Sequence, residues 1–179
     1  MDETLLLKDC LKGNVQAQKR LYECYARKMF GVCLRYAPDE AMAEDLLQEG
    51  FIRVFTRLGT FRNEGSLEGW IRRVMVNTAL EYLCKRDVLR YSTPLDEDAA
   101  IAEYDEPEAA GRPGPDLVAR LIREMPVGFR TVFNLYAVED YSHKEIAGIL
   151  GISEGTSKSQ YARARAWLLK RLPSENTSN

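Results

Sequence analysis

Apolar residues recur along this chain at three- and four-residue spacing almost from end to end, the period of helices that each bury one face. Strand-like runs of Val, Ile and Thr are scarce, so an all-α protein is expected. In the first half the pattern breaks at a few punctuating residues and predicts four helices. The first two run from about Asp2 to Lys12 and from Val15 to Tyr36, with Gly13-Asn14 as the break and Pro38 ending the second. Asp39 is placed to cap a third, EAMAEDLLQEGFIRVFTRL. There Leu47, Phe51, Val54, Phe55 and Leu58 make the apolar stripe, and Asp45, Gln48, Glu49 and Arg53 fall to the polar side. After the loop GTFRNEGS, Ser66 is placed to cap a fourth helix, LEGWIRRVMVNTALEYLCKR, with Leu67, Trp70, Ile71, Val74, Thr78 and Tyr82 on one face.

The second half predicts two more helices, about Asp116 to Glu124 and Val127 to Val138, separated at Pro126. A distinctive stretch follows, YSHKEIAGILGISEGTSKSQYARARAWLLKRL. Ser142 with Glu145 three residues later forms a capping box, so a helix starts at His143 and turns Ile146, Ala147, Ile149 and Leu150 inward. Gly151 suits the left-handed turn between two helices, and Ser153 caps the next one. From Glu154 onward, positions 157, 161, 164 and 168 share a buried stripe. The opposite side carries Gly155, Ser159, Ala162, Arg163 and Ala166, flanked by Thr156, Lys158 and Gln160. Small residues allow close approach to a surface, and Arg, Lys, Gln, Ser and Thr reach phosphates and base edges in a major groove. The stretch reads as a DNA-binding helix-turn-helix.

Charge sharpens the division of the chain. The net charge is -2, too little for a protein that grips nucleic acid by charge alone. Between Asp96 and Asp116, however, lie eight acids and one base, Arg112, which leaves 24 bases against 19 acids elsewhere. The same window holds Pro107, Pro113 and Pro115 with Gly111 and Gly114, and lacks apolar periodicity, so it reads as a flexible acidic linker. The expected organisation is two small helical domains, residues 1–90 and 116–179, joined by a linker over 91–115. Both folded parts are then basic, and the acidity sits in the linker.

Several function classes drop out. No apolar run reaches the length of a membrane span, and the start, MDETLLLKDCLKGN, lacks the form of a signal peptide, so a cytoplasmic protein without direct membrane insertion is expected. Cys10, Cys24, Cys33 and Cys84 show no C-x-x-C spacing, and the single histidine, His143, has no second histidine to complete a metal site. Neither a disulfide nor a metal is expected, and His143 reads as an ordinary surface residue. Asp45 and Glu49 stand one turn apart without a nucleophile or phosphate loop, so no catalytic site, cofactor or small-molecule substrate is expected. Asn77, near the Trp70 and Val74 stripe, is either a satisfied core amide or part of a polar pocket. Phe61, Arg72 and Arg73 would suit such a pocket if it held an unstacked base.

Taken in order around an acidic linker, EDLLQEGFIRVF, FRNEGSLEGWIRRVMVNTALEYL and YSHKEIAGILGISEGTSKSQYARARAWL closely resemble the bacterial RNA polymerase sigma factors of the extracytoplasmic-function (ECF) group, over nearly the whole chain. The resemblance implies an alternative sigma factor, not an enzyme, that binds core RNA polymerase through its β′ clamp and β subunit and directs initiation at promoter DNA. It implies that the helix with D-L-x-Q-E docks on the β′ clamp through Asp45, Gln48 and Glu49. It implies minus-ten recognition and melting by Phe61, Asn63 and Asn77, with Arg72 and Arg73 on the backbone, and minus-thirty-five recognition by Thr156, Lys158, Ser159, Gln160 and Arg163. The linker resembles the segment that runs through the polymerase's RNA path, and an anti-sigma factor is implied as a regulatory partner.

Two positions depart from the family pattern. Many members have G-T-V-K-S-R where this chain has GTSKSQ, so Ser157 stands for a core valine and Gln160 for an arginine. Glutamine can pair with adenine, which would shift the preferred promoter. Two rival readings stay open on sequence. One is a stand-alone helix-turn-helix regulator, which would have no use for the D-L-x-Q-E helix; the other is a sigma-like polymerase adaptor without initiation activity.

Overall fold

The computed structural model describes residues 3–62, 64–85 and 114–172. These fall into two compact units, divided between Lys85 and Arg86. Among the described residues every regular element is helical. Asn63 and the acidic stretch up to residue 113 lie outside the described residues.

The first unit contains α1 (Glu3–Leu11), α2 (Val15–Tyr36), α3 (Glu40–Arg57), a 3-10 turn (Leu58–Thr60) and α4 (Leu67–Lys85). Local chemistry sets each boundary. Gly13 takes the left-handed φ of 79° that breaks α1 from α2, and the Asn14 side chain then accepts from the Gln16 and Ala17 amides. Pro38 forces Ala37 into extended backbone and ends α2, while Asp39 accepts from the Met42 amide to start α3. Ser66 caps α4 through the Gly69 amide. The expected stripe of α3 is buried at Leu47, Phe51, Val54 and Leu58, with Phe55 half-buried.

The stripe of α4 differs from expectation. Its inward line is Leu67, Ile71, Met75, Ala79 and Leu83, while Trp70, Val74 and Tyr82 are half-buried at its flank. A helix wedged against both α2 and α3 buries a wider arc than one stripe, and its centre follows the two partners. One close approach matters. A Cβ on Gly50 of α3 would collide with the Met75 sulfur, so the buried Met75 side chain occupies the space that glycine leaves open between the two helices.

The second unit contains α5 (Pro115–Glu124), α6 (Val127–Phe133), a π-helical turn (Asn134–Val138), α7 (His143–Leu150) and α8 (Glu154–Arg171). Gly114 and Pro115, assigned to the linker by sequence, form the N-cap and first residue of α5. Leu121, Ile122, Met125, Phe129, Ala164 and Leu168 form a core shared by α5, α6 and α8. The helix expected over 127–138 widens in its last five residues, where the Glu139 amide reaches back to the Asn134 carbonyl and Asp140 takes a φ of 58°.

The four cysteines are unpaired; Cys10 and Cys33 are buried, whereas Cys24 and Cys84 are exposed and pack as no part of a core. Among the described residues no helix is long and apolar enough to cross a membrane, and no group of three or more His, Cys, Asp or Glu could hold a metal ion.

Candidate polymerase and nucleic-acid interfaces

On α3 the polar side faces outward: Asp45, Gln48 and Glu49 are all exposed. Glu49 is not a bare carboxylate. Its Oε1 accepts from Arg53 Nε at 2.8 Å, and Arg53 Nη1 donates to Glu81 Oε2 on α4 at 2.7 Å. These two hydrogen bonds hold the guanidinium charged more firmly than usual. Gln48 with Glu44 and Leu47 forms one wall of an open groove of about 340 Å³, and Tyr22, Arg27 and Phe30 of α2 form the other. Sequence reasoning missed the α2 wall. Tyr22, Ala26 and Phe30 repeat at four-residue spacing beside the buried stripe, which was the available signal.

At the start of α4, the half-buried Phe61 packs on Trp70 with ring centroids 5.6 Å apart. Trp70, Arg73 and Asn77, at i, i+3 and i+7, share one helix face beside this aromatic pair. Asn77 is exposed, so it is not a core amide, and the pocket alternative no longer requires burial of a polar group. Arg73 is likewise exposed. Arg72 is half-buried and lies roughly 140° around the helix from Asn77, so the structure does not bring it to that face. Asn63 lies outside the described residues.

In the second unit each predicted element of the helix-turn-helix is present. The Ser142 side chain accepts from the Glu145 amide while Glu145 Oε2 accepts from the Ser142 amide at 2.8 Å. Gly151 adopts the left-handed conformation, with φ 66° and ψ 32°, and Ser153 caps α8 through the Thr156 amide at 3.0 Å. Ile146 is fully buried, but Ile149, expected inward, is exposed.

The buried arc of α8 is Ser157, Gln160, Ala164 and Leu168, turned roughly 25° from the predicted stripe so that Gln160 enters it and Tyr161 leaves. Gln160 therefore is not on the outward face. Its side chain seats against Gly128 of α6, where an added Cβ would lie 3.4 Å from Oε1. Lys158 is exposed and paired with Glu154 at 2.8 Å; Thr156, Ser159 and Arg163 are half-buried. The outward face also carries Arg165, which the sequence reading did not name, in line with Gly155, Lys158 and Ala162.

His143 is not an ordinary surface residue. It is half-buried, its Nδ1 lies 2.9 Å from Ser157 Oγ, and the Tyr136 ring stacks on it. Burial, followed by the nearby Lys158 charge, holds its pKa below the usual imidazole value.

Comparison with known proteins bears on both units. The sigma-70 region 2 model matches residues 21–88, and the sigma-70 region 4 model matches residues 116–168. The chain is 30% identical over 171 residues to the RNA polymerase sigma-H factor of Pseudomonas aeruginosa, covering 90% of this chain and 89% of that protein. It is 28% identical over 175 residues to the ECF RNA polymerase sigma-E factor of Escherichia coli K12, covering 92% and 91%. Among solved structures it is similar in fold to the sigma factor RpoE of Bartonella quintana, solved in complex with the anti-sigma factor NepR. That match has a TM-score of 0.50 and 22% identity, and covers 89% of this chain and all of that one.

Proposed function

This chain belongs to the sigma-70 family of RNA polymerase sigma factors, in the extracytoplasmic-function group, and from that premise we propose how its two units divide the work of an alternative sigma factor directing transcription initiation. Residues 1–90 bind core polymerase and open the minus-ten element, the acidic stretch up to residue 113 forms the linker, and the unit that starts at the Gly114 cap reads the minus-thirty-five element. Asp45, Gln48 and Glu49 on α3 are the docking residues. Their exposure supports this, and the groove beside Gln48 offers apolar rings to a partner helix while Arg53 holds Glu49 in place.

Phe61, Arg73 and Asn77 form the face that receives an unstacked minus-ten base, with Trp70 as the wall behind Phe61. Unstacking costs a few kcal/mol, and an aromatic platform beside a positive charge offsets it. Asn63 belongs to the same proposal by its place in the chain. Arg72 is assigned to the backbone on a different side of α4. On α8, Thr156, Lys158, Ser159 and Arg163 are the upstream contacts, with Arg165 added as a phosphate contact because it lies in line with Lys158. Gln160 is assigned to packing instead, since its side chain is 6% exposed.

The partners are core polymerase, promoter DNA and an anti-sigma factor, and the site of action is the cytoplasm. We assign the chain no catalysis of its own. One observation carries the reading over its rivals: an exposed Asp45, Gln48 and Glu49 face and a fully capped helix-turn-helix occur in one chain. A stand-alone regulator has no use for the first, and an adaptor has none for the second. Abortive transcription by bacterial core polymerase, with and without this protein, on a genomic fragment library tests it. Discrete starts sharing two spaced upstream motifs are expected; core binding without starts would replace the reading by the adaptor.

A further inference from the structure

Ser157 stands fully buried where α7 and α8 meet, a place that ordinarily takes an apolar side chain. A hydroxyl withdrawn from water there needs a partner. It has one: His143 Nδ1 lies 2.9 Å away, across the turn from the first residue of α7 to the first turn of α8. The imidazole is itself held. Tyr136, from the π-helical turn, stacks on it with centroids 4.3 Å apart and planes 11° apart, and Tyr161 of α8 meets it edge-on at 5.8 Å. The hydrogen bond thus joins the starts of the two helices, and the ring stack joins both to the turn after α6.

A second contact acts on the same helix from another side. Gln160, one turn beyond Ser157's position, seats beside Gly128 of α6. The two positions at which this chain departs from the family pattern therefore both point inward.

We propose that His143 and Ser157 are positioning residues for promoter recognition: their hydrogen bond, clamped by Tyr136 and Tyr161, sets the angle at which α8 is presented to the upstream element. The inference rests on the initiation reading above. Neither residue contacts DNA in this role, so each acts through the outward-facing side chains of α8. A helix already seated in the core that loses one directional bond at its start loses discrimination between sequences before it loses general affinity, because base contacts depend on angle far more than phosphate contacts do.

The test uses holoenzyme assembled from core polymerase and the full chain. The probes are a promoter fragment recovered by start mapping and the same fragment with its upstream element scrambled. The readout is the ratio of affinities for the two, measured beside affinity for core and the thermal unfolding of the free chain. His143→Ala and Ser157→Ala are each expected to lower the ratio about fivefold, the fold-change matching one net hydrogen bond. The double variant is expected to lose no more than either single one, with core affinity unchanged throughout. His143→Asn, which keeps a polar atom near the Nδ1 position, is expected to restore most of the ratio. If an alanine variant does not fold, the near-isosteric Ser157→Cys serves in its place with the same expected loss. An unchanged ratio in folded variants, or losses that multiply in the double variant, would overturn the brace alone. A wild-type chain that supports no starts overturns the initiation reading and the brace together.

Discussion

Gly50→Ala tests the closest approach in the first unit. In an exposed helix the change would stabilise by about 1 kcal/mol, because alanine is the better helix former. Here the new methyl would collide with the Met75 sulfur and come within 2.9 Å of its terminal methyl, and Met75 is 0% exposed, with no solvent to swing into. Overpacking of this kind costs about 1–3 kcal/mol, so a net destabilisation of about 1 kcal/mol is expected. Met75→Ala alone should cost about 2–5 kcal/mol by leaving a cavity. With both changes the new methyl occupies part of that cavity, so the pair should cost less than the sum by about 1–2 kcal/mol.

The measurement is denaturant unfolding in a Trp167→Phe background, which leaves Trp70 on α4 as the sole indole reporter and isolates the first unit. A Gly50→Ala chain more stable than its parent would refute the close-contact argument. Costs that add within about 0.5 kcal/mol in the double variant would do the same.

Gln48→Ala with Glu49→Ala should weaken binding to core polymerase at least tenfold, about 1.4 kcal/mol, while lowering first-unit stability by no more than about 0.5 kcal/mol, the worth of the exposed Arg53–Glu49 pair; titration with labelled core measures the first and Trp70 unfolding the second. Arg163→Ala should cost about 1–3 kcal/mol at the cognate upstream element and little at a scrambled one, as read by competition binding of holoenzyme. An equal loss on both would make Arg163 a phosphate contact like Arg165. The charged groups around His143 are Lys158 and Glu154 of α8 and Lys144 on its own helix, with Tyr136 and Tyr161 against the ring. Its folded pKa lies below the free value of 6.5, so as pH falls the unfolded chain takes up the proton first. The His143 contribution to the second unit's stability should therefore be complete above about 6.5, fall between there and the lowered value, and change no further below it. Denaturation followed by Trp167 fluorescence in a Trp70→Phe background should show this slope with His143 in place and a shallower one in His143→Asn.

Much of the fold is legible along the chain because its signals are local. A capping side chain meets an amide two or three residues away, so Asn14, Asp39, Ser66, Ser142 and Ser153 announce their helices without reference to anything distant. Gly151 and Pro38 act through their own backbone. Membership of the sigma-70 family was readable for a related reason: its three signature stretches are each contiguous. The candidate docking residues also share one helix, so their spacing was enough to place them on one exposed side.

What spacing left open was the rotation of each helix against its neighbours. A period of 3.6 defines an arc, but the partners choose its centre. The contacts of α4 with both α2 and α3 turned Trp70 and Val74 to the flank and left Asn77 in solvent. Gln160 turns inward to lie beside Gly128 of α6, more than thirty residues earlier in the chain. The α2 wall of the groove and the bond between His143 and Ser157 arise in the same way, from residues that helix packing brings together. Caps and hinges are settled by bonds within a few residues, whereas the inward or outward fate of a borderline polar side chain depends on which neighbour leaves room for it.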